Sequence, residues 1–224
     1  NISAQQVIFS NVDLQPGLEL ITNTGLVYDT QSWQNKWANS TPFGDRAVTA
    51  GDYNDDGVNE IAGANNWGAI TVYSAVNKSQ LATTEVFNTC SISTINLDND
   101  KADELVVGEC QSGQLHAYNL NINTLSELWS VYIPYTGVSS LTVGDSDNDG
   151  EDELHWGSGT MSTGADSFHV ADLGINTINI KPSTPTIQLD TFSSAGWSTI
   201  TDNDEKAVFF VPQTASGYEG SRIL

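Results

Sequence analysis

The chain predicts an all-β fold, a β-propeller of about five four-stranded blades, and three observations carry that expectation. An acidic turn recurs five times, with first positions at residues 11, 52, 96, 145 and 200. The spacings of 41, 44, 49 and 55 residues fall in or near the ~40–50 residues of a propeller blade. Around each turn lie short β-branched, apolar stretches separated by Gly, Asn and Asp, with hardly any helical periodicity.

Taken in order, the repeat divides a single domain, residues 1–224, into units of roughly 1–40, 41–87, 88–133, 134–190 and 191–224. A first strand precedes each turn, as at residues 47–51 and 141–144. A second follows it at 60–63, then a polar turn, a third strand at 68–73 and a fourth at 81–87. The third unit repeats the last two strands at 113–118 and 128–132. Residues 220–224 match the third strand of a unit, so the expectation is a processed or truncated piece of a longer secreted protein. A five-bladed ring closed by strand exchange between the termini is the alternative.

The best copy of the turn reads Asp145-Ser146-Asp147-Asn148-Asp149-Gly150-Glu151-Asp152-Glu153-Leu154. Oxygens at positions one, three, five and nine, with a glycine at six, suit a hard cation, which takes six to eight oxygens at ~2.3–2.6 Å. The second strong copy is Asp52-Tyr53-Asn54-Asp55-Asp56-Gly57-Val58-Asn59-Glu60-Ile61. The third runs from Asn96 through Asp98 and Asp100 to Glu104, with Lys101 where the glycine should be. The first, Asn11 to Glu19, has an amide, Gln15, at position five, and the last, around Asp202 and Asp204, loses its first and ninth ligands to Ile200 and Val208. An EF-hand is excluded: its bidentate glutamate belongs at position twelve between two helices, where this chain has Gly63, Val107 and Trp156.

The pattern Asp-x-Asp-x-Asp-Gly-x-x-(Asp or Glu)-(Ile or Leu)-x-x-Gly, followed by Gly-x-(Leu or Ile)-x-x-Tyr, resembles the FG-GAP repeat family, which includes integrin-alpha-like and VCBS-type propellers. The resemblance covers nearly the whole chain and is strongest in the second, third and fourth units. It implies calcium bound through side chains at positions one, three, five and nine and the carbonyl of position seven. In the fourth unit these are Asp145, Asp147, Asp149 and Glu153 with Glu151; in the second, Asp52, Asn54, Asp56 and Glu60 with Val58. In the third they are Asn96, Asp98, Asp100 and Glu104 with Ala102, but Lys101 departs from the pattern, because a residue with a Cβ is strained at positive φ. Such sites staple a hairpin; ligands drawn from one loop leave little reason to expect an open substrate position. Solvated acidic turns without metal are the competing reading.

Seven Lys and Arg against 28 Asp and Glu give a net charge of −21, and half of the acids lie in the three best turns. That balance argues against nucleic acid or anionic membranes as partners, since both need basic patches. No apolar run reaches the ~18 residues of a membrane span. If residues 96–103 form the turn, Ile95 faces Leu105 and paired residue numbers sum to 200, which opposes Cys90 to Cys110 and predicts a disulfide. Two buried free thiols are the alternative; a disulfide would favour an extracellular compartment.

His116, His155 and His169 show no zinc or nucleophile spacing and read as packing or surface residues. P-loop, Rossmann, Gly-x-Ser-x-Gly and Cys-x-x-Cys motifs are missing. Among six tryptophans, Trp33, Trp37 and Trp129 fall on expected fourth strands and Trp156 and Trp197 on second and first strands, where packing between blades explains them. Trp67, in the turn Asn65-Asn66-Trp67-Gly68, is the expected exposed binding residue. Asn39-Ser40-Thr41 and Asn77-Lys78-Ser79 are glycosylation sequons in a eukaryotic secretory host. The expected function is a non-enzymatic, extracellular, calcium-binding module for adhesion, recognition or assembly, with a protein or glycan ligand and further domains or copies of the same protein as partners. A polysaccharide lyase and a lectin are the rival readings.

Overall fold

The computed structural model describes residues 4–65, 67–84, 88–98, 100–110, 114–132, 137–145, 149–158, 167–174, 177–180, 192–199, 206–214, 217–218 and 222–223. Among these residues there is no helix, and the strands form five four-stranded antiparallel sheets. The first sheet contains β1 (Val7–Ser10), β2 (Glu19–Thr22), β3 (Leu26–Asp29) and β4 (Asn35–Ala38). The second contains β5 (Ala47–Gly51), β6 (Glu60–Ala64), β7 (Ile70–Ser74) and β8 (Ser79–Thr83). The third contains β9 (Thr89–Ile95), β10 (Glu104–Glu109), β11 (Gln114–Asn121) and β12 (Thr124–Tyr132). The fourth contains β13 (Val138–Gly144), β14 (Glu153–Ser158), β15 (Ser167–Gly174) and β16 (Thr177–Ile180). The fifth contains β17 (Phe192–Thr199), β18 (Lys206–Thr214) and β19 (Gly217–Tyr218), with β20 (Arg222–Ile223) also paired to β18.

The first four sheets are simple meanders, each strand paired to the next in sequence. That order follows from short polar connections, because antiparallel neighbours can be joined by a few turn residues. Among the described residues the acidic turns lead from strand to strand and not into a helix, as the rejection of an EF-hand requires. Trp33 is a correction: it lies outside β4, in the turn that precedes it, with φ of 57°. Asp29 builds that turn by accepting hydrogen bonds from the amides of Gln31 and Ser32 at 3.1 and 2.6 Å, which delays the strand to Asn35. Likewise the third strand of the second sheet starts at Ile70 and the fourth ends at Thr83; residues 85–87 lie outside the described residues.

By packing, the chain divides into two units, Asn1–Val106 with Ala117–Glu127, and Val107–His116 with Leu128–Leu224. Within the first, β1 packs on β5 and β5 on β9; within the second, β13 packs on β17. Each pairing sets the opening strand of one sheet beside the opening strand of the next. The second strands β2 and β6 are buried along their whole length, including the glutamate that opens each. In the first unit the core between the first two sheets gathers Val12, Ile21, Val27, Trp37, Phe43, Val48 and Ile61. Trp37, Phe43 and Tyr73 meet there with ring centroids 5.0–6.2 Å apart, tilted or edge-on as aromatic quadrupoles prefer. Gly63 is required by this packing, since a Cβ there would lie 2.0 Å from the Phe43 carbonyl oxygen. No helix among the described residues is long and apolar enough to cross a membrane.

Candidate metal centres

In the first, second and fourth sheets, the acidic turn joins first and second strands, and the residue before position one pairs with position nine. The pairs are Ser10 with Glu19, Gly51 with Glu60, and Gly144 with Glu153. Eight residues bridge each pair, so the loop must satisfy its own amides. The position-one carboxylate does so in two loops. Asp52 accepts from the amides of Asp56 and Gly57 at 3.1 and 2.8 Å, and Asp145 from those of Asp149 and Gly150 at 3.2 Å each. Position five then accepts from position seven: Asp56 from Val58 at 2.9 Å, Asp100 from Ala102 at 2.7 Å and Asp149 from Glu151 at 2.9 Å. Gly57 and Gly150 take φ of 83° and 95°, which explains the glycine at position six.

Position nine is the anchor. Glu19, Glu60, Glu104 and Glu153 are exposed by only 1%, 2%, 0% and 1%. In three of the loops this glutamate accepts the amide of the apolar residue at position two: Val12 at 3.1 Å, Tyr53 at 3.2 Å and Leu97 at 2.7 Å. Position two thus points into the core while its amide fixes the carboxylate at the loop. Burial, followed by the charges of Asp56 and Asp52, pushes Glu60 up to about 8. Burial also drives Glu104 up to about 7, helped by Asp98, Asp100 and Asp103. The second oxygen of Glu60 is bonded by Asn54 Nδ2 at 2.8 Å. Glu104 Oε1 is buried with no hydrogen-bond partner. A buried carboxylate oxygen without a donor, among further acids, is costly unless a cation joins it.

Among the described residues two acidic clusters could hold a metal ion: Asp98, Asp100 and Glu104, and Asp145, Asp149 and Glu153, each with carboxylate oxygens within 4.8 Å of one another. Asp147 lies outside the described residues, and Glu151 is exposed. In the third loop Asn96 cannot accept amide hydrogens as an aspartate would at both oxygens; its Nδ2 donates to the Asp100 carbonyl at 2.8 Å. Lys101 is not among the residues with positive φ, so this loop turns differently and avoids the expected strain. The second loop, a strong copy in sequence, does not bring Asp52, Asp56 and Glu60 together to the same degree; its position three, Asn54, donates to Glu60. In the first loop the ammonium of Lys36 lies between Asp13 and Glu19 at 2.6 and 2.8 Å. The fifth loop lies outside the described residues.

Sequence reasoning missed position eight. The amide of Asn59 donates to the carbonyl of Asn11 at 3.3 Å, and the amide of Asp103 to the carbonyl of Asp52 at 2.8 Å. Each loop is thereby tied to the first residue of the loop before it. Side chains reinforce both ties: Asn59 Nδ2 to Ser10 Oγ at 2.7 Å, and the Asp52 amide to Asp103 Oδ2 at 2.9 Å. The only signal in the sequence was a polar residue at position eight, Asn59, Asp103 and Asp152.

Neither cysteine is free; Cys90 and Cys110 are disulfide-bonded. Trp67 is 60% exposed with φ of 53°, and Trp33 is equally exposed, whereas Trp37 and Trp156 are buried. His116 lies 3.4 Å from Glu109, His155 is buried with Nε2 3.3 Å from the Gly144 carbonyl, and His169 stacks on Trp156 at 4.9 Å. Burial lowers the pKa of His169.

No protein-family model matches the chain, and no curated protein matches it in sequence. Its fold, however, is similar to known structures. It is propeller-like. The chain matches the rhamnogalacturonan lyase of Bacillus licheniformis with a TM-score of 0.58 at 16% identity, covering 99% of this chain and 48% of the lyase. It matches BBS1N, solved in complex with ARL6DN, with a TM-score of 0.56 at 13% identity, covering 100% of this chain and 83% of that one. An endo-arabinase from Bacteroides thetaiotaomicron gives 0.54 at 13% identity over 100% and 94%. The chain therefore spans about half the length of the lyase it matches. Likeness at such identities speaks to fold alone.

Proposed function

We propose that the chain is a calcium-stabilised β-propeller module of a secreted or cell-surface protein, serving adhesion, recognition or assembly. The observation that carries this reading is Glu104: fully buried, with Oε1 unpartnered, and clustered with Asp98 and Asp100. The clusters offer oxygen donors only, which favours calcium over zinc or copper, and flexible loop ligands suit calcium better than magnesium. Bound there, the ion would stabilise the ionised form of Glu104, which burial and the neighbouring acids disfavour, and would staple the first strand of a sheet to the second. The third and fourth loops are the leading sites; the second would rely on Asp52, Asp56, Glu60 and the carbonyl of Val58. The disulfide fits an oxidising compartment, where calcium is abundant. With a net charge of −21, a protein or glycan ligand fits better than nucleic acid.

The test is calcium itself. Saturating calcium raises the melting temperature by mass action, and elemental analysis finds bound metal. No shift and no metal would overturn the reading. A calcium-dependent polysaccharide lyase is the second reading, supported by the fold likeness to a rhamnogalacturonan lyase and an endo-arabinase. Metal-dependent release of unsaturated products from an acidic polysaccharide would favour it. A lectin is separated from both by glycan binding that is lost in Trp67→Ala.

A further inference from the structure

We propose that the first loop is a cation site whose cation is the chain's own Lys36 ammonium, and that removing this ammonium opens a latent calcium site. Lys36 Nζ lies 2.6 Å from Asp13 Oδ2 and 2.8 Å from Glu19 Oε1, the side chains at positions three and nine of that loop. The third loop uses the same two positions, Asp98 and Glu104, in its acidic cluster. Asp29 completes the shell at 3.4 Å, so three carboxylates face the three donors of one ammonium.

The placement of Lys36 is built into the sheet. On the ladder between β3 and β4, Val27 pairs with Trp37 and Tyr28 with Asn35, which leaves Lys36 as the extra residue of a β-bulge. Bulges re-aim side chains, and this one aims Lys36 at the loop while Trp37 enters the core. The second sheet has the same bulge: Val72 pairs with Ala82 and Tyr73 with Gln80, leaving Leu81 as its extra residue. With leucine there, the second loop receives no ammonium, and Glu60 Oε1 is bonded by Asn54 instead.

Positions one and five of the first loop are the amides Asn11 and Gln15, so the loop itself gives two carboxylates and Asp29, from outside it, supplies the third. The site thus gathers three carboxylates, as each cluster of the third and fourth loops does. A cavity of about 380 Å³ borders the loop, lined by Asp13, Gln15, Glu19 and Lys36 but mainly by apolar side chains, with Lys78 also at its wall.

This inference rests on the calcium reading for the behaviour of Lys36→Met, but not for that of the native chain. Equilibrium dialysis of the full chain and of Lys36→Met is expected to show one more bound calcium per chain in the variant. An unchanged stoichiometry would overturn the proposal. Amide hydrogen exchange of the native chain supplies a readout that does not depend on the variant's folding. Protection of the Val12 amide, which donates to Glu19, is expected to be equal in EDTA and in calcium. A calcium-dependent gain at Val12 would mean that the ion enters the first loop despite Lys36, and would overturn the proposal. If Leu97 is equally indifferent to calcium, the calcium reading fails while Lys36 keeps its role; if Leu97 responds and Val12 does not, both stand.

Discussion

Asp103 clasps Asp52: its amide donates to the Asp52 carbonyl at 2.8 Å, while its carboxylate accepts the Asp52 amide at 2.9 Å. The pair ties the eighth residue of the third loop to the first residue of the second. Burial raises the pKa of Asp103, opposed by the Asp52 amide and assisted by the charges of Asp52 and Asp100. Asp103→Ala keeps the backbone bond but strips the Asp52 amide of its acceptor, at a cost of roughly 1–3 kcal/mol. Asp103→Asn retains an accepting oxygen and relieves the repulsion, so it should cost much less. Equilibrium denaturation of both variants checks the order; equal losses would mean that the side-chain bond contributes nothing. The same clasp predicts that calcium affinity at the second loop falls in Asp103→Ala, although no ligand of that loop has changed.

Glu104→Gln should act in opposite directions with and without metal. Its Oε2 bond to the Leu97 amide can be kept by a glutamine oxygen, and a neutral amide is easier to bury among Asp98, Asp100 and Asp103 than a carboxylate. In EDTA the variant is therefore expected to be as stable as the native chain or more so. In saturating calcium it loses one ion's contribution, about 2.7 kcal/mol where calcium stands at a hundred times its dissociation constant. Melting curves in the two buffers check this. A loss of equal size in both would show that Glu104 acts through packing and not through metal.

The dependence of stability on pH follows from the same glutamates. Their usual value is 4.5, whereas the fold holds Glu60 near 8 and Glu104 near 7, chiefly through burial. Between those values the folded chain binds protons that the unfolded chain has released, so protonation stabilises the fold. That contribution is complete below 4.5 and is lost as pH rises through 7 and 8. In EDTA, stability should fall from pH 6 to pH 9. Calcium needs the ionised carboxylates, so the calcium-induced rise in melting temperature should grow over the same interval. A rise that is the same at both ends would contradict the assignment of these glutamates as ligands.

The repeat was legible because its period and its strands obey local rules. Alternating oxygens, a glycine at six and a short apolar strand after position nine located the hairpins of the second and fourth sheets, and Gly57 and Gly150 have the positive φ the pattern required. Which loops gather carboxylates was harder to read. Asn54 and Asn96 count alike as oxygen donors in sequence, yet both present Nδ2, one to Glu60 and one to the Asp100 carbonyl. Nothing local announces Lys36 as the counter-charge of Asp13, because 23 residues separate them and the bulge that aims the lysine depends on strand pairing. Trp33 was misplaced for a similar reason: Asp29 captures the amides of Gln31 and Ser32, a side-chain turn that competes with the strand.

Trp37 and Trp67 should separate packing from recognition. Trp37 is buried against Phe43 and Tyr73, with centroids 5.0 and 6.2 Å away, between the first two sheets. Truncating a buried tryptophan leaves a cavity as well as lost transfer energy, so Trp37→Ala should cost about 3–5 kcal/mol. Trp67 is 60% exposed at the tip of a turn, so Trp67→Ala should change stability by no more than about 0.5 kcal/mol in either direction. Its left-handed backbone is uncommon for so bulky a residue, and any strain there is an argument for a role at the surface. Trp67→Gly should therefore hold stability, because glycine adopts that φ freely. Chemical denaturation of the three variants decides the structural half, and binding to a glycan array the functional half. A loss of several kcal/mol in Trp67→Ala would place that side chain in the core and remove the case for a binding surface.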